Sequence, residues 1–195
     1  MKRAFDLVVA LAALVALAPL LVLVALAVKL TSRGPVLFHA ERAGRGGRPF
    51  RLHKFRTMTH GAAGPALTTA DDARVTPLGR ALRRTHADEL PQLWNVVTGE
   101  MSLVGPRPED PRFVAADDPA WRRVLSVRPG ITGPTQLAFA GREAALLGGD
   151  PESGYRERVL PAKLRSDLDY ATGRSFAADL AILGRTALHT LGVRG

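Results

Sequence analysis

The densest set of reactive side chains lies between Leu82 and Trp94, where Arg83, Arg84, His86, Asp88 and Glu89 fall within one short stretch. Asp88 and Glu89 stand where a helix from Glu89 to Thr98 is expected to begin, with Gly99 as its terminal cap. A helix start carries partial positive charge and unpaired N–H groups, so it holds a carboxylate ionised and favours a bound phosphate. Arg83 and Arg84 lie a turn upstream, and the planar guanidinium fork suits phosphate oxygens. This set supports phosphoryl transfer. An ionised aspartate can attack phosphorus, while cations or Mg²⁺ offset charge on the phosphoryl oxygens. Mg²⁺ needs only one or two carboxylates beside phosphate and water. The same Asp-Glu pair also has a plain structural reading, as an N-cap compensating the helix dipole.

Other signals are weaker alone. Lys54-Phe55-Arg56-Thr57-Met58 puts Lys54 and Arg56 at alternating positions of a strand end, hence on one face, suited to a diphosphate or to solvent. Arg107 sits between Pro106 and Pro108, which restrict the backbone and preorganise one cation; the alternative is a surface turn. Gly44 to Pro49 is rich in Gly and Arg but lacks the Gly-Lys-Ser/Thr of a phosphate loop. His39, His53, His60, His86 and His189 show no metal-ligand spacing, so no zinc site is expected.

The elements that must position these groups are α+β and mainly helical. Val36–His39 and Phe50–Phe55 are β-like and flank the Gly/Arg turn as a hairpin. Residues 59–73 read as a loop, Pro77–Arg84 as a helix, and residues 100–111, with their prolines, as a rigid irregular segment. Asp117–Val124, Tyr155–Tyr170 and Ser175–Leu191 complete the helices; in the last, Phe176, Leu180, Leu183 and Leu188 recur near helical spacing. The polar segment Gly148–Pro161 is a candidate for tuning substrate choice or contacting a partner.

Ahead of all this runs Leu7–Val28, apolar throughout, which at ~1.5 Å per residue reaches roughly 33 Å and matches a hydrocarbon core of about 30 Å. It is longer than a usual signal-peptide core. Pro19 stands near its middle, and cations flank both ends: Lys2 and Arg3 before, Lys29 and Arg33 after. Local physics leaves a kinked span and a helix that breaks at Pro19 and returns to the same side as equal alternatives. The domain division follows as 1–30 for the membrane helix and 31–195 for the body.

Composition narrows the function classes. With no cysteine among the 195 residues, disulfides, thiolate zinc sites and a cysteine nucleophile are excluded. The net charge of +9 attracts nucleic acid, anionic lipid or phosphorylated substrates. Aromatics at 6% make poor stacking platforms for single strands, so nucleic acid is not an expected partner.

Taken together, five blocks in order resemble the monotopic phosphoglycosyl transferases, the bacterial sugar transferase family: Lys2–Asp6, Lys54–Met58, Asp88–Val96, Gly99–Glu109, and Arg128–Gly133 with Gln136. The resemblance implies that Asp88 is a nucleophile taking a sugar phosphate from a UDP-sugar and releasing UMP, and that undecaprenyl phosphate then attacks the covalent intermediate. It further implies that Asp88 touches Mg²⁺ and Glu89 assists the metal or the proton balance. Arg83, Arg142 and Gln136 fall among the family's substrate- and phosphate-binding positions, with Lys54, Arg56 and Arg107 as further contacts. The family's membrane helix is re-entrant, broken at a Ser-Pro pair; here the pair is Ala18-Pro19, without the serine hydroxyl. The implied location is the bacterial inner membrane, with the body on the cytoplasmic face and membrane lipid as a partner. A homodimer is left open, and the chain resembles the minimal form of the family. His86-Ala87 replaces the family's usual Ser-Leu before the aspartate, and His86 receives no role. Three alternatives stand beside this reading: a basic membrane-docking module without catalysis, direct displacement assisted by Mg²⁺ without a covalent intermediate, and an inactive assembly scaffold for surface-polysaccharide machinery, which the intact Asp88-Glu89 pair argues against.

Overall fold

A computed structural model describes residues 1–64, 67–68, 72–139 and 150–190. Arg142, expected to bind phosphate, and residues 148 and 149 of the polar segment lie outside the described residues.

Helix α1, Lys2–Thr31, runs the length of the body. Being apolar all round, it has two faces to satisfy. One stripe, spaced three and four apart (Asp6, Ala10, Leu14, Leu17, Leu21, Val24, Val28), packs on the body. The opposite side leaves large apolar side chains bare, Val15 at 77% and Leu30 at 83% exposure. A continuous apolar surface of this kind calls for a non-aqueous neighbour. The helix is long and apolar enough to cross a membrane.

Both ends of α1 are tied to the same body. At the start, Lys2 Nζ donates to Val104 O at 3.2 Å and pairs with Asp179 at 2.5 Å, and Ser102 Oγ donates to Asp6 at 2.7 Å. Arg3 donates to Val96 O at 2.6 Å and Val97 O at 3.1 Å. At the far end, Arg56 donates to Ser32 O at 2.8 Å and Val28 O at 3.3 Å, and also to Pro35 O, covering carbonyls that a helix terminus leaves open. The helix passes through Ala18 and Pro19, where proline removes one N–H donor and neighbouring turns carry the helix across.

The hairpin is present: β1 (Leu37–Ala43) pairs antiparallel with β2 (Pro49–Phe55), from Leu37 opposite Phe55 to Ala43 opposite Pro49. Phe50 and Leu52 of β2 enter the main core with Ala10, Leu93, Val96 and Met101. Helix α2 (Pro77–Arg84) starts with Thr76 Oγ1 accepting from Gly79 N at 2.9 Å and Pro at the first position. Helix α3 (Gln92–Thr98) ends on Gly99 at φ 92°, the left-handed cap expected from sequence.

The segment expected to be irregular contains a strand. β3 (Ser102–Val104) pairs in parallel with β4 (Gly130–Thr132). Glycine permits this crossing, since a Cβ on Gly130 would lie 2.1 Å from Gly105 N. Strands of three residues carry no readable alternation, which is why prolines dominated the expectation.

Between β3 and β4 lies α4 (Pro119–Val124), followed after β4 by α5 (Pro134–Phe139). A continuous C-terminal rod comprises α6 (Pro151–Gly154), a π turn at Tyr155–Val159 and α7 (Leu160–Gly173). The last helix, α8 (Phe176–Thr190), starts beside the start of α1, where the Phe176 and Phe5 rings meet edge-on at 5.2 Å, and Tyr170 on α7 donates to Asp179 on α8 at 2.6 Å. The fold is α+β and mainly helical.

Candidate active site

The site is assembled by a close approach of α2 to the segment after β2. A Cβ on Gly79 would lie 2.0 Å from Thr57 O, so only glycine lets α2 settle there. Thr76 N donates to Thr57 O at 2.9 Å, and Arg83 Nε donates to Thr57 Oγ1 at 2.8 Å. Thr57 thus orients Arg83, a role sequence reasoning missed although Thr57 sits inside the Lys54–Met58 block.

After α2 the chain turns sharply at His86, with φ 56° the one positive-φ residue other than glycine among the described residues. This left-handed kink redirects the backbone into a single 3-10 turn, Ala87–Glu89. Asp88 and Glu89 therefore occupy their own short turn ahead of α3, a correction to the expected helix start at Glu89. His86 gains a role as the hinge residue.

The two carboxylates are treated differently. Glu89 Oε1 receives Lys54 Nζ at 2.6 Å and lies 3.5 Å from Arg107 Nη2. Burial works to raise its pKa, but Lys54 and Arg107 outweigh this and hold the carboxyl at about 2. Asp88 is 7% exposed. Burial raises its pKa, against the opposing charges of Lys54 and Arg83, while neighbouring Glu89 pushes the same way as burial. No described residue hydrogen-bonds the Asp88 carboxylate.

Lys54 and Arg56 do not share a face in a common site. Lys54 reaches Glu89, whereas Arg56 is buried at the end of α1. The strand stops at Phe55, so strand alternation no longer governs Arg56. Gln136 Nε2 donates weakly to Gly130 O at 3.3 Å and Ile131 O at 3.4 Å, and its side chain borders an apolar cavity.

Two cavities meet at this point. The smaller, about 110 Å³, is polar and lined by Arg42, Lys54, Glu89, Gln92, Arg107 and Glu109 among others. The larger, about 870 Å³, is an apolar groove walled by Ala13 and Leu17 of α1, Leu93 of α3, Leu137 of α5 and Leu183 of α8. Glu89, Arg107, Lys163 and Leu67 border both. Asp88 is not among the residues lining either; it precedes Glu89 within the same turn.

The C-terminal rod adds groups that sequence reasoning did not assign. Tyr155 donates to Glu109, and Lys163 Nζ donates to Tyr155 OH at 3.2 Å. Thr135 Oγ1 donates to Asp167 at 2.5 Å, and Asp167 also accepts from the Arg107 backbone N–H. Burial pushes the Asp167 carboxyl up to about 7. The polar character of Gly148–Pro161 was the only signal pointing to Tyr155, and nothing local marked Lys163.

Among the described residues no three His, Cys, Asp or Glu side chains cluster as a cage for metal. One or two carboxylates with phosphate and water satisfy Mg²⁺, and the Asp88 carboxylate without a hydrogen-bond partner among the described residues fits that requirement.

Comparison with known proteins fits this arrangement. The model of the family described as bacterial sugar transferase matches residues 1–192. The chain is 44% identical over 191 residues to a UDP-glucose:undecaprenyl-phosphate glucose-1-phosphate transferase of Caulobacter vibrioides, covering 95% of this chain and 67% of that protein. It is 50% identical over 145 residues to an undecaprenyl-phosphate glucose phosphotransferase of Komagataeibacter xylinus, covering 70% of this chain but 27% of the relative. It is 38% identical over 200 residues to the exopolysaccharide production protein PSS of Rhizobium leguminosarum bv. phaseoli, covering 98% and 95%. The chain thus spans between about a quarter and nearly all of these relatives' lengths.

Proposed function

Because this chain belongs to the bacterial sugar transferase family, we propose that it is a phosphoglycosyl transferase moving a sugar 1-phosphate from a UDP-sugar to undecaprenyl phosphate at the start of surface-glycan synthesis. The observation that carries this reading is the junction of a cation-lined cavity with an apolar groove at Glu89, one residue from Asp88. The polar cavity suits a nucleotide diphosphate sugar, with Lys54 and Arg107 facing its phosphates. The groove suits a prenyl chain. UDP-glucose is the donor to try first, since relatives in Caulobacter vibrioides and Escherichia coli carry that substrate in their names.

In the first half-reaction an Asp88 oxygen attacks the phosphorus bearing the sugar. The bond to the bridging oxygen breaks, UMP leaves with that oxygen, and an aspartyl phosphosugar forms. In the second, an oxygen of the polyprenyl phosphate attacks the same phosphorus and restores the Asp88 carboxylate, giving the polyprenyl diphosphosugar. Burial of Asp88 strips water from the nucleophile, while Arg83 and Lys54 favour its ionised form. Glu89 holds Lys54 and Arg107 in place. Asp88, with the donor's phosphates, would hold Mg²⁺, which when bound supplies positive charge against the phosphoryl oxygens. On this reading the bare face of α1 lies in lipid; the ties of both its ends to one body support a body on a single side of the membrane, and a UDP-sugar donor favours the cytoplasmic side.

The absence of Asp88 from the lining of both cavities favours one rival: direct attack of the acceptor on the donor. Incubation with UDP-glucose and Mg²⁺ in lipid, first without and then with undecaprenyl phosphate, separates them. The covalent route releases about one UMP per enzyme without acceptor, and Asp88→Asn abolishes it. Direct displacement gives no UMP until acceptor is added. Absence of UMP from any UDP-sugar under both conditions would reject the transferase reading itself.

A further inference from the structure

We propose that Gln92 is a specificity-determining residue for the donor, its carboxamide holding a hydroxyl of the transferred sugar; this rests on the UDP-sugar reading above. Gln92 opens α3, is 3% exposed and lines the polar cavity. Its amide has no hydrogen-bond partner among the described residues. The polar side-chain atoms sealed away without a partner there are Arg56 Nε and Gln136 Oε1. The Gln92 amide is not one of them, so the slight exposure it keeps is at the amide, and the space it meets is the cavity. A buried amide left without a partner is costly, and a ligand hydroxyl would complete this one.

Asn95, one turn further along α3, provides the contrast. It is fully buried, accepts from His53 N at 3.1 Å, and donates to Arg51 O and to Glu100 Oε2 at 2.7 Å each. That amide ties α3 to β2. The charged side chains lining the cavity are engaged as well, Lys54 by Glu89, and Arg42 and Arg112 by Asp110. Gln92 differs from both groups in having its donors and its acceptor open.

The backbone aims Gln92 at the reacting end of the donor. Leu90 N donates to Ala87 O at 3.3 Å and Leu93 N to Leu90 O at 3.1 Å, a three-residue repeat that stacks side chains three apart. Gln92 therefore stands over Glu89, and both line the polar cavity. Asp88 immediately precedes Glu89. In the donor, the sugar is bonded to the phosphorus that Asp88 attacks, whereas uracil lies beyond a second phosphate and a ribose. The group within one turn of Asp88 is thus the sugar. Phosphate oxygens only accept hydrogen bonds, which suits Lys54 and Arg107; a hydroxyl both donates and accepts, which suits a carboxamide. A sugar lacking that hydroxyl leaves the buried amide unpaired and is rejected for that reason.

The test measures initial rates of UMP release in lipid, with undecaprenyl phosphate, for the UDP-sugar that wild type turns over and for analogues lacking one sugar hydroxyl each. Wild type should lose about tenfold or more in kcat/KM on one analogue. Gln92→Met should lose a similar factor on the parent sugar and match wild type on that analogue. An equal loss on every donor overturns the proposal; joined to weaker inhibition by UMP, it puts Gln92 on the uracil instead. A wild type that treats all analogues alike also overturns it. Where Gln92→Met does not fold, Gln92→Asn decides, because it keeps the carboxamide but withdraws it by one carbon: reduced discrimination supports the proposal and unchanged discrimination overturns it. Wild type releasing no UMP from any UDP-sugar fails the transferase reading and this proposal together, whereas turnover with discrimination unshifted by the variants fails this proposal alone.

Discussion

The polar cavity and the apolar groove share a border but are built by opposite means. Local sequence blocks supply much of the polar one: Lys54 is next to last in β2, Glu89 follows the His86 kink, and Arg107 sits between prolines. The groove draws single side chains from α1, α3, α5 and α8, distant in sequence. One cavity is a motif and the other is a packing result. The difference teaches that charge recognition can be concentrated in a few residues, whereas a lipid-shaped surface has to be distributed over helices.

Substitutions that separate the two should therefore separate the two substrates. The largest effect is expected from Lys54→Met, which removes the closest cation from Glu89 and from the donor side. Turnover should fall about a hundredfold, with UMP release failing at saturating acceptor; a loss expressed only in acceptor KM would mean that the cavities are assigned the wrong way round. Leu183→Arg puts a charge on the groove wall. It should raise acceptor KM roughly tenfold, since burying a charge against apolar surface is costly, and leave donor KM within about twofold of wild type. Steady-state kinetics with each substrate varied in turn would check both.

The smallest effect is one of pH, at the seam. Asp167 carries a folded pKa of about 7 against an ordinary 3.8. The folded state holds more protons than the unfolded state between those values, so its stability falls as pH rises from about 4 to about 7. Asp167→Asn should flatten the melting temperature over that window, measured by thermal denaturation at constant ionic strength. Glu89 contributes with the opposite sign: with its carboxyl at about 2 against 4.5, its stabilisation is present above about 4.5 and is lost as pH falls towards 2.

What the sequence reveals follows the same division. Helix α2 and the end of α3 are readable because their caps are local: Thr76 before Pro77, and Gly99 after Thr98. The hairpin is readable from its turn. The pairing of β3 with β4 is not, because two three-residue strands meet only through glycines far apart in the chain. Arg56 was misplaced for a related reason. It looks like Lys54 in sequence, and only the arrival of the α1 terminus decides that its guanidinium meets carbonyls. Asp88 and Glu89 were found as a pair, but their unequal environments depend on Lys54, Arg83 and Arg107 converging from separate elements. Lys163 and Tyr155 lay beyond reach, since a π turn within a helical rod leaves no distinct pattern in the residues that form it.

Helix α1 offers one face to the body and the other outward, and its Ala13 and Leu17 form part of the groove wall. If the proposed function holds, the entrance for the prenyl chain is bounded by the same helix whose bare face is turned to lipid. Such an enzyme searches for its acceptor in two dimensions. The abundance it senses is the number of carrier molecules per unit area of membrane, not their amount per volume of cell, and competition among such enzymes for one carrier becomes a matter of lateral crowding.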